Sequence, residues 1–540
     1  MTAARRVADA GDAPYTVPRR APNPMFPTLS FDRQSFDPST LETMVLRAAG
    51  GLQRLGVEEG DTIALMSRNQ PALLVAMLAA RTLGAYFCAI NWHFKAEEAG
   101  YILGDSGAKA LVADRDLYAR IAPGVPASID RAARLAILPE PSVVDAYRLD
   151  DAALELPPDC VAWEEWLPAQ PRYVGPPRAS RGFVPYTSGT TGRPKGVRRV
   201  PPPPADAARL AAANAALLEA VFGIRPDARC LIAAPLYHSA PSSYALFAAA
   251  RGAWLRLEPR FDAEGLLAAI ERHRVTHLYL VPTMMHRLLR LPEAVRAAHD
   301  LSSLRFVLTT GAPCPPQTKR AMIDWLGPVV HEAYAASELG WVTSIGPQDA
   351  LAHPGSVGRP LLGASLRIVG DDGRECPPGT PGRIYARQPA YPDFAYINLP
   401  EARAQVERDG LVSVGDVGFV DADGWLHLCD RAADMVLSGG VNIYPAEIEA
   451  ALASLPGVAD SAVFGIPDDE YGESLIAVVE RQPGAAVDAE AVRRHLSERL
   501  ADYKVPRRVE FAEHLPREET GKIFKRRLRE PYWAGRERRI

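Results

Sequence analysis

Two long stretches in which strand-like apolar runs alternate with helical apolar spacing constrain this chain more than any other feature. Residues 41–56 show helical spacing that ends at Gly56, followed by a strand-like run at 61–66, a helix at 71–83 and a strand at 85–90. The alternation returns after residue 182. A strand-like run at 183–186 leads to an alanine-rich helix at 205–222, strands at 229–233 and 253–257, and a helix that Asp262 caps and that runs to His273. Strands at 277–281 and 304–308, a helix at 316–326 and a short strand at 329–333 complete it. Such βα order predicts a mostly parallel sheet with helices on its faces. The proline tract at 200–204 must break any helix and reads as a rigid connector. The segment 115–180, rich in Pro, Asp and Arg with weak periodicity, reads as loop and surface structure.

After residue 350 the texture changes. Asp-Gly turns at 372–373 and 423–424 suggest a β-rich subdomain near 352–428. From about residue 432 a compact α+β unit is expected, with helices at 445–454 and 488–501 and strands at 459–465, 474–480 and 507–512. The fold class is therefore α/β: a large N-terminal domain of βα-layered sheets with a β-rich subdomain, plus a small α+β C-terminal domain. The expected boundaries are 1–430 for the large domain, 431–433 for a hinge and 434–540 for the small domain.

Composition excludes several function classes. The 540 residues carry a net charge of −4, which argues against a general nucleic-acid binder. The six cysteines, Cys88, Cys160, Cys230, Cys314, Cys376 and Cys429, stand far apart, with no CxxC pair and no zinc spacing. Scattered thiols fit a reducing compartment, and residues 1–20 lack the apolar run of a signal peptide. The longest apolar stretch, 71–90, is interrupted by Arg81 and Gly84 and reads as a helix and a strand rather than a membrane span. A cytoplasmic protein is expected. The chain has only seven lysines, Lys95, Lys109, Lys195, Lys319, Lys504, Lys522 and Lys525, with arginine everywhere else. A bias that replaces Lys by Arg wherever chemistry is indifferent makes each remaining lysine informative.

One string carries chemistry on its own residues. YTSGTTGRPKGV, from Tyr186 through Lys195, packs hydroxyls and glycines ahead of a lysine. Glycines let backbone N–H groups converge, hydroxyls add donors and the lysine adds a point charge, so the string suits an anion. It is not a Walker loop, because no Gly-Lys-Ser/Thr follows at the required spacing. Taken singly, the other strings read as ordinary structure: a histidine after a strand (Tyr237-His238), a strand-to-helix turn (Gly311, Ala312, Pro313), a Gly-Asp turn (Asp416), a glycine hairpin (Gly439, Gly440) and a basic helix start (Lys522).

In order and spacing, however, these strings resemble the motifs of the adenylate-forming superfamily, which includes acyl-CoA synthetases, aryl-CoA ligases, luciferases and adenylation domains. The resemblance runs from about residue 41 to 529. It implies that Thr187, Ser188, Gly189, Thr190, Thr191, Gly192 and Lys195 form the phosphate loop, and that Gly311, Ala312 and Pro313 flank adenine. The string EAYAASE supplies Glu332, Ala333, an adenine-facing Tyr334, a phosphate donor in Ser337, and Glu338 as a Mg²⁺ ligand together with Thr187. Asp416 and Arg431 would hold the ribose. Tyr237, His238, Met284, Ala335, Gly439 and Gly440 would line the acyl and CoA channel, and Lys522 would be the catalytic lysine. Ala335 stands where the family has Gly, Ser337 where it has Thr, and Ala433 at the position of the hinge Asp or Lys.

The implied activity is that of an acyl-CoA ligase using ATP, Mg²⁺ and coenzyme A. The pocket walls, with few fixed charges, suit an apolar acid, fatty, aryl or sterol-like. An enzyme that loads a carrier protein and a binding protein that has lost activity are the competing readings. No nucleic-acid partner and no membrane span are expected, and a homodimer is one option for the number of copies.

Overall fold

The computed structural model describes residues 26–176, 178–187, 193–312, 314–431, 434–438, 441–517 and 523–534. The first alternating stretch forms a five-stranded, all-parallel sheet. Its strands lie in the order Tyr86–Ala89, Thr62–Met66, Ala108–Asp114, Arg134–Ile137, Val161–Ala162. The helix Pro38–Arg54 begins where Asp37 accepts from the Thr40 N–H at 2.7 Å, and it packs on the helix Pro71–Leu83.

This sheet corrects one expectation. The segment 115–180 is not mainly loop. It contributes the helices Arg115–Ile121 and Pro141–Tyr147 and the last two strands of the parallel sheet. Those strands are four and two residues long, too short for a period to show, and the short helix Pro141–Tyr147 separates them.

The second stretch builds a larger sheet. Its parallel part runs Leu29–Phe31, Trp254–Leu257, Arg229–Ile232, His277–Leu280, Phe306–Thr309 and Val330–Ala336. The direction then reverses at Gly340–Ile345, with a register shift at Tyr334/Ala335. Antiparallel strands continue through Ser356–Pro360, Leu426–Arg431, Asp416–Val420 and Gly382–Arg387. The β-rich region is thus an extension of the main sheet. Asp262 caps its helix as expected, accepting from Gly265 N at 2.7 Å.

A small separate sheet pairs Tyr186–Thr187 with Lys195–Arg199, and the latter with Phe394–Tyr396. In the C-terminal unit, Val458–Asp468 and Gly472–Arg481 pair antiparallel, and Arg508–Ala512 joins in parallel. The helices Pro445–Leu452 and Ala489–Ser497 pack on one face and Lys525–Trp533 on the other. Arg290 reaches across from the large sheet's helices and donates to the carbonyls of Val458 and Ala459 at 3.0 and 2.7 Å.

Candidate active site

A cleft of about 2910 Å³ runs between the large sheet, the small Lys195 sheet and the C-terminal unit. Single small-molecule pockets are nearer 300–1,000 Å³, so there is room for several substrates. Of the residues singled out from the sequence, Thr187, Lys195, Tyr237, His238, Gly311, Ala312, Glu332, Ala333, Tyr334, Ala335, Ser337, Glu338 and Asp416 all line it. They come from places far apart in the chain. Met284 does not line it. Its side chain is buried in the core of the helix Pro282–Leu289, and its neighbours Thr283 and His286 face the cleft instead. Ser188, Gly189, Thr190, Thr191, Gly192, Pro313, Gly439, Gly440, Lys522 and the hinge residue Ala433 lie outside the described residues, as does the side chain of Arg431.

The large sheet's reversal sets one end of the cleft. Tyr334 lies at the bulge, and its hydroxyl donates to Asp416 Oδ2 at 2.6 Å. An aromatic face and a carboxylate that a ribose could share are therefore held together from strands 82 positions apart. Below them Glu332 is buried and ion-paired to Lys319, whose ammonium also donates to the Ser356 carbonyl at 2.9 Å. Burial raises the Glu332 carboxyl above its usual range, against the pull of Lys319.

The turn after Tyr334 carries Ser337 and Glu338. Glu338 is 8% exposed and accepts from the Tyr396 hydroxyl at 3.0 Å. The Lys195 ammonium stands 5.3 Å from the centroid of the same tyrosine ring. Tyr396 so joins the loop lysine to the carboxylate, and burial followed by the Glu338 charge raises its own pKa. A side chain at Gly196 would displace its neighbours, because a Cβ would meet the Tyr186 ring at 2.8 Å and Ile397 at 3.0 Å. The Tyr186 hydroxyl in turn donates to Asp105 at 2.8 Å.

Among the described residues no group of three or more His, Cys, Asp or Glu side chains is arranged to hold a metal. The site instead offers one buried carboxylate, Glu338, that shares Tyr396 with the ammonium of Lys195. That donor set fits Mg²⁺, which takes one or two carboxylates, keeps waters and completes its shell with substrate phosphates.

At the channel end, Tyr237 packs edge-on against Trp92 with ring centroids 4.5 Å apart. Asn69, 1% exposed, brackets this turn by accepting from Leu236 N and donating to the Ala234 carbonyl, both at 2.9 Å. Arg199 ends the strand that begins at Lys195. Its guanidinium donates to the carbonyls of Ser337 and Pro392 at 2.8 and 3.1 Å.

Sequence reading missed Asn69, Arg199, Lys319 and Tyr396. Only Lys319 carried a signal, as one of seven lysines in an arginine-rich chain.

The architecture defines a class. The profile of AMP-binding enzymes matches residues 19–391, and that of the AMP-binding enzyme C-terminal domain matches 447–522. The chain belongs to this family. It is 36% identical over 500 residues to a feruloyl-CoA synthase of an Amycolatopsis species, covering 91% of this chain and 92% of that one. It is 33% identical to the indoleacetate–CoA ligase of Aromatoleum aromaticum, covering 93% and 94%. Among solved structures, ATP-bound MatB from Rhodopseudomonas palustris superposes with a TM-score of 0.78 at 29% identity, covering 95% and 97%. The protein is an AMP-forming acid–thiol ligase that works through an acyl-adenylate with ATP, Mg²⁺ and CoA. Among the described residues no helix is long and apolar enough to cross a membrane.

Proposed function

We propose that this cleft activates a carboxylic acid with an apolar body, fatty, aryl or sterol-like, and passes its acyl group to CoA. The observation that carries the reading is the convergence of Lys195, Glu338 and the Tyr334–Asp416 pair on one cleft that continues into largely apolar walls. Two relatives are named for aromatic acids, ferulate and indoleacetate, which supports the aryl part of that range.

In the first half-reaction a carboxylate oxygen attacks the α-phosphorus of ATP, and the bond to pyrophosphate breaks. A carboxylate is a weak nucleophile, so the protein acts by positioning and by neutralising phosphate charge. Lys195 with Thr187, Ser188, Thr190 and Thr191 holds the leaving pyrophosphate, with Gly189 and Gly192 freeing backbone donors. Ser337 donates to the α-phosphate, and Lys522 meets the charge on both reacting oxygens. Glu338 and Thr187 would hold Mg²⁺, which when bound screens the phosphate oxygens. Tyr334 with Gly311, Ala312 and Pro313 flanks adenine, supported by Glu332 and Ala333, while Asp416 and Arg431 hold the ribose.

In the second half the CoA sulfur attacks the acyl carbon and AMP leaves. The unit 434–540 would turn about 431–433, withdrawing Lys522 and bringing Gly439 and Gly440 to a thiol channel beside Tyr237, His238 and Ala335. Ala433 offers no side chain to that hinge. A reducing compartment, the cytoplasm, is the location that the six free cysteines support.

A panel of fatty, aryl and sterol-like acids, scored for AMP release with and without CoA, tests this. CoA-dependent turnover of at least one is expected. Release stimulated by a carrier protein but not by CoA would favour the carrier-loading alternative.

Tyr396→Phe should raise the Mg²⁺ concentration for half-maximal pyrophosphate exchange about two- to tenfold, since a hydrogen bond of this kind contributes roughly 0.5–1.5 kcal/mol. An unchanged Mg²⁺ dependence would detach Tyr396 from the metal-binding carboxylate.

A further inference from the structure

The acyl side of the cleft is walled by the helix Pro204–Phe222, the helix Ser239–Ala250 and the start of the strand Gly340–Ile345. Leu218, Leu246, Phe247 and Trp341 make it largely apolar. Into the same wall comes a cation. The part-buried Arg199 lines the cleft, its guanidinium 4.9 Å from the centroid of the Tyr391 ring. Arg199 and Gly340 confine the Tyr391 ring on two sides. Its ring lies so close to Gly340 that a Cβ there would meet it at 2.3 Å, and the glycine's φ of +75° is one that L side chains rarely adopt. Asn214, on the helix Pro204–Phe222, and Tyr391 both line the cleft.

Among the described residues no carboxylate lies within ion-pairing distance of Arg199. Its guanidinium hydrogen bonds go to the Ser337 and Pro392 carbonyls. A guanidinium has five N–H donors, so three are left over in an apolar wall. Glu338 and Asp393 attract the cation from beyond ion-pairing distance, but N–H donors left without acceptors away from water are costly. A bracing role for the Ser337 turn would need only the two carbonyl bonds. The bond to Ser337 is to its carbonyl, and the contact with Tyr391, whose ring packs on Gly340, puts the guanidinium on the wall where the strand Gly340–Ile345 begins.

We infer that Arg199, Tyr391 and Asn214 form a polar end to the acyl pocket that recognises an oxygen acceptor carried by the acid at a distance from its reacting carboxylate. The acid is then apolar along its body and polar at its far end, with a carbonyl, ether or second carboxylate. This rests on the ligase reading above and narrows its substrate class.

Matched acids test it: 3-phenylpropanoate against 3-(4-acetylphenyl)propanoate and 3-(4-carboxyphenyl)propanoate, and decanoate against 9-oxodecanoate and decanedioate. Dissociation constants from calorimetry in the presence of AMP, and kcat/KM for AMP release, are compared for wild type, Arg199→Met, Arg199→Lys and Asn214→Leu. Wild type should prefer the oxygen-bearing member of at least one pair by about tenfold or more, because a site built to hydrogen-bond a group rejects the analogue that lacks it. Arg199→Met should bring that ratio to within about threefold of unity, with Arg199→Lys and Asn214→Leu between the two. Equal losses for both members of every pair would make Arg199 a brace only and overturn the inference, as would a wild-type preference for the hydrocarbon acids. Selective binding without AMP release would uphold the polar end and instead refute the ligase reading.

Discussion

Lys522→Ala is expected to slow adenylate formation by at least about 10²-fold while leaving thioester formation from supplied acyl-adenylate within a few fold of wild type. The first half-reaction brings a negative carboxylate to a negative phosphate, and charge builds on both sets of oxygens. Removing one donor aimed at such charge typically costs 10²–10³ in rate. The second half-reaction attacks a neutral acyl carbon and does not need that ammonium.

Lys522 itself lies outside the described residues, but the chain on either side is anchored. Arg517 bridges to Ile523 and is ion-paired to Asp460 and Glu480 at 2.5 and 2.9 Å. Beyond it, the Lys525 ammonium lies 2.8 Å from Glu449, whose carboxyl is pushed up to about 7 by burial and held down in part by Lys525. A short segment held at both ends can deliver one compact ammonium. Lys522→Arg should therefore fail nearly as badly, since a broad planar fork is a poor replacement for a point charge. Stopped-flow or quench measurement of each half-reaction decides it: equal loss in both would remove Lys522 from its assigned role.

What the sequence disclosed followed physical scale. Long elements with a full period were legible: the helix Pro71–Leu83 and the helix Pro316–Leu326 stand where the spacing put them. The strands Arg134–Ile137 and Val161–Ala162 were not, because two to four residues cannot display alternation. The continuity of the β-rich region with the main sheet was equally hidden, since pairing Ser356–Pro360 with Leu426–Arg431 is a long-range choice. At the site, motif residues were visible because their spacing is local. Their partners were not: Tyr396 reaches Glu338 over 58 positions, and Asn69 reaches Ala234 over 165. Arg199 was hidden for another reason, being one of many arginines whose unusual surroundings only the folded chain creates.

The second large effect concerns the buried pair of Lys319 and Glu332. Lys319→Met should destabilise the protein by about 3–5 kcal/mol, the usual cost of stranding one member of a buried ion pair. Lys319 and Glu332 are 2% and 3% exposed, so water cannot replace the lost partner. Glu332→Gln on top of Lys319→Met should recover a substantial part, because no charge is then left inside. Denaturant midpoints of the four proteins give the coupling, and additive losses would mean that the pair does not act as a unit. The pH dependence has a definite sign. Burial already raises the Glu332 carboxyl, and Lys319 opposes the rise, so in Lys319→Met the folded-state pKa climbs further. Folded Glu332 then keeps its proton where the unfolded chain has lost it. Stability from that group is complete below the ordinary carboxylate range and is lost as pH rises through the raised value. The variant should therefore approach wild-type stability on acidification from pH 7 towards 5, and the gap should widen again towards neutrality. A gap independent of pH would show that Met at this position disrupts packing rather than charge. In a chain with only seven lysines, arginine at 319 would have to fit a branched fork where one ammonium now meets both a carboxylate and the Ser356 carbonyl, so Lys319→Arg should destabilise as well.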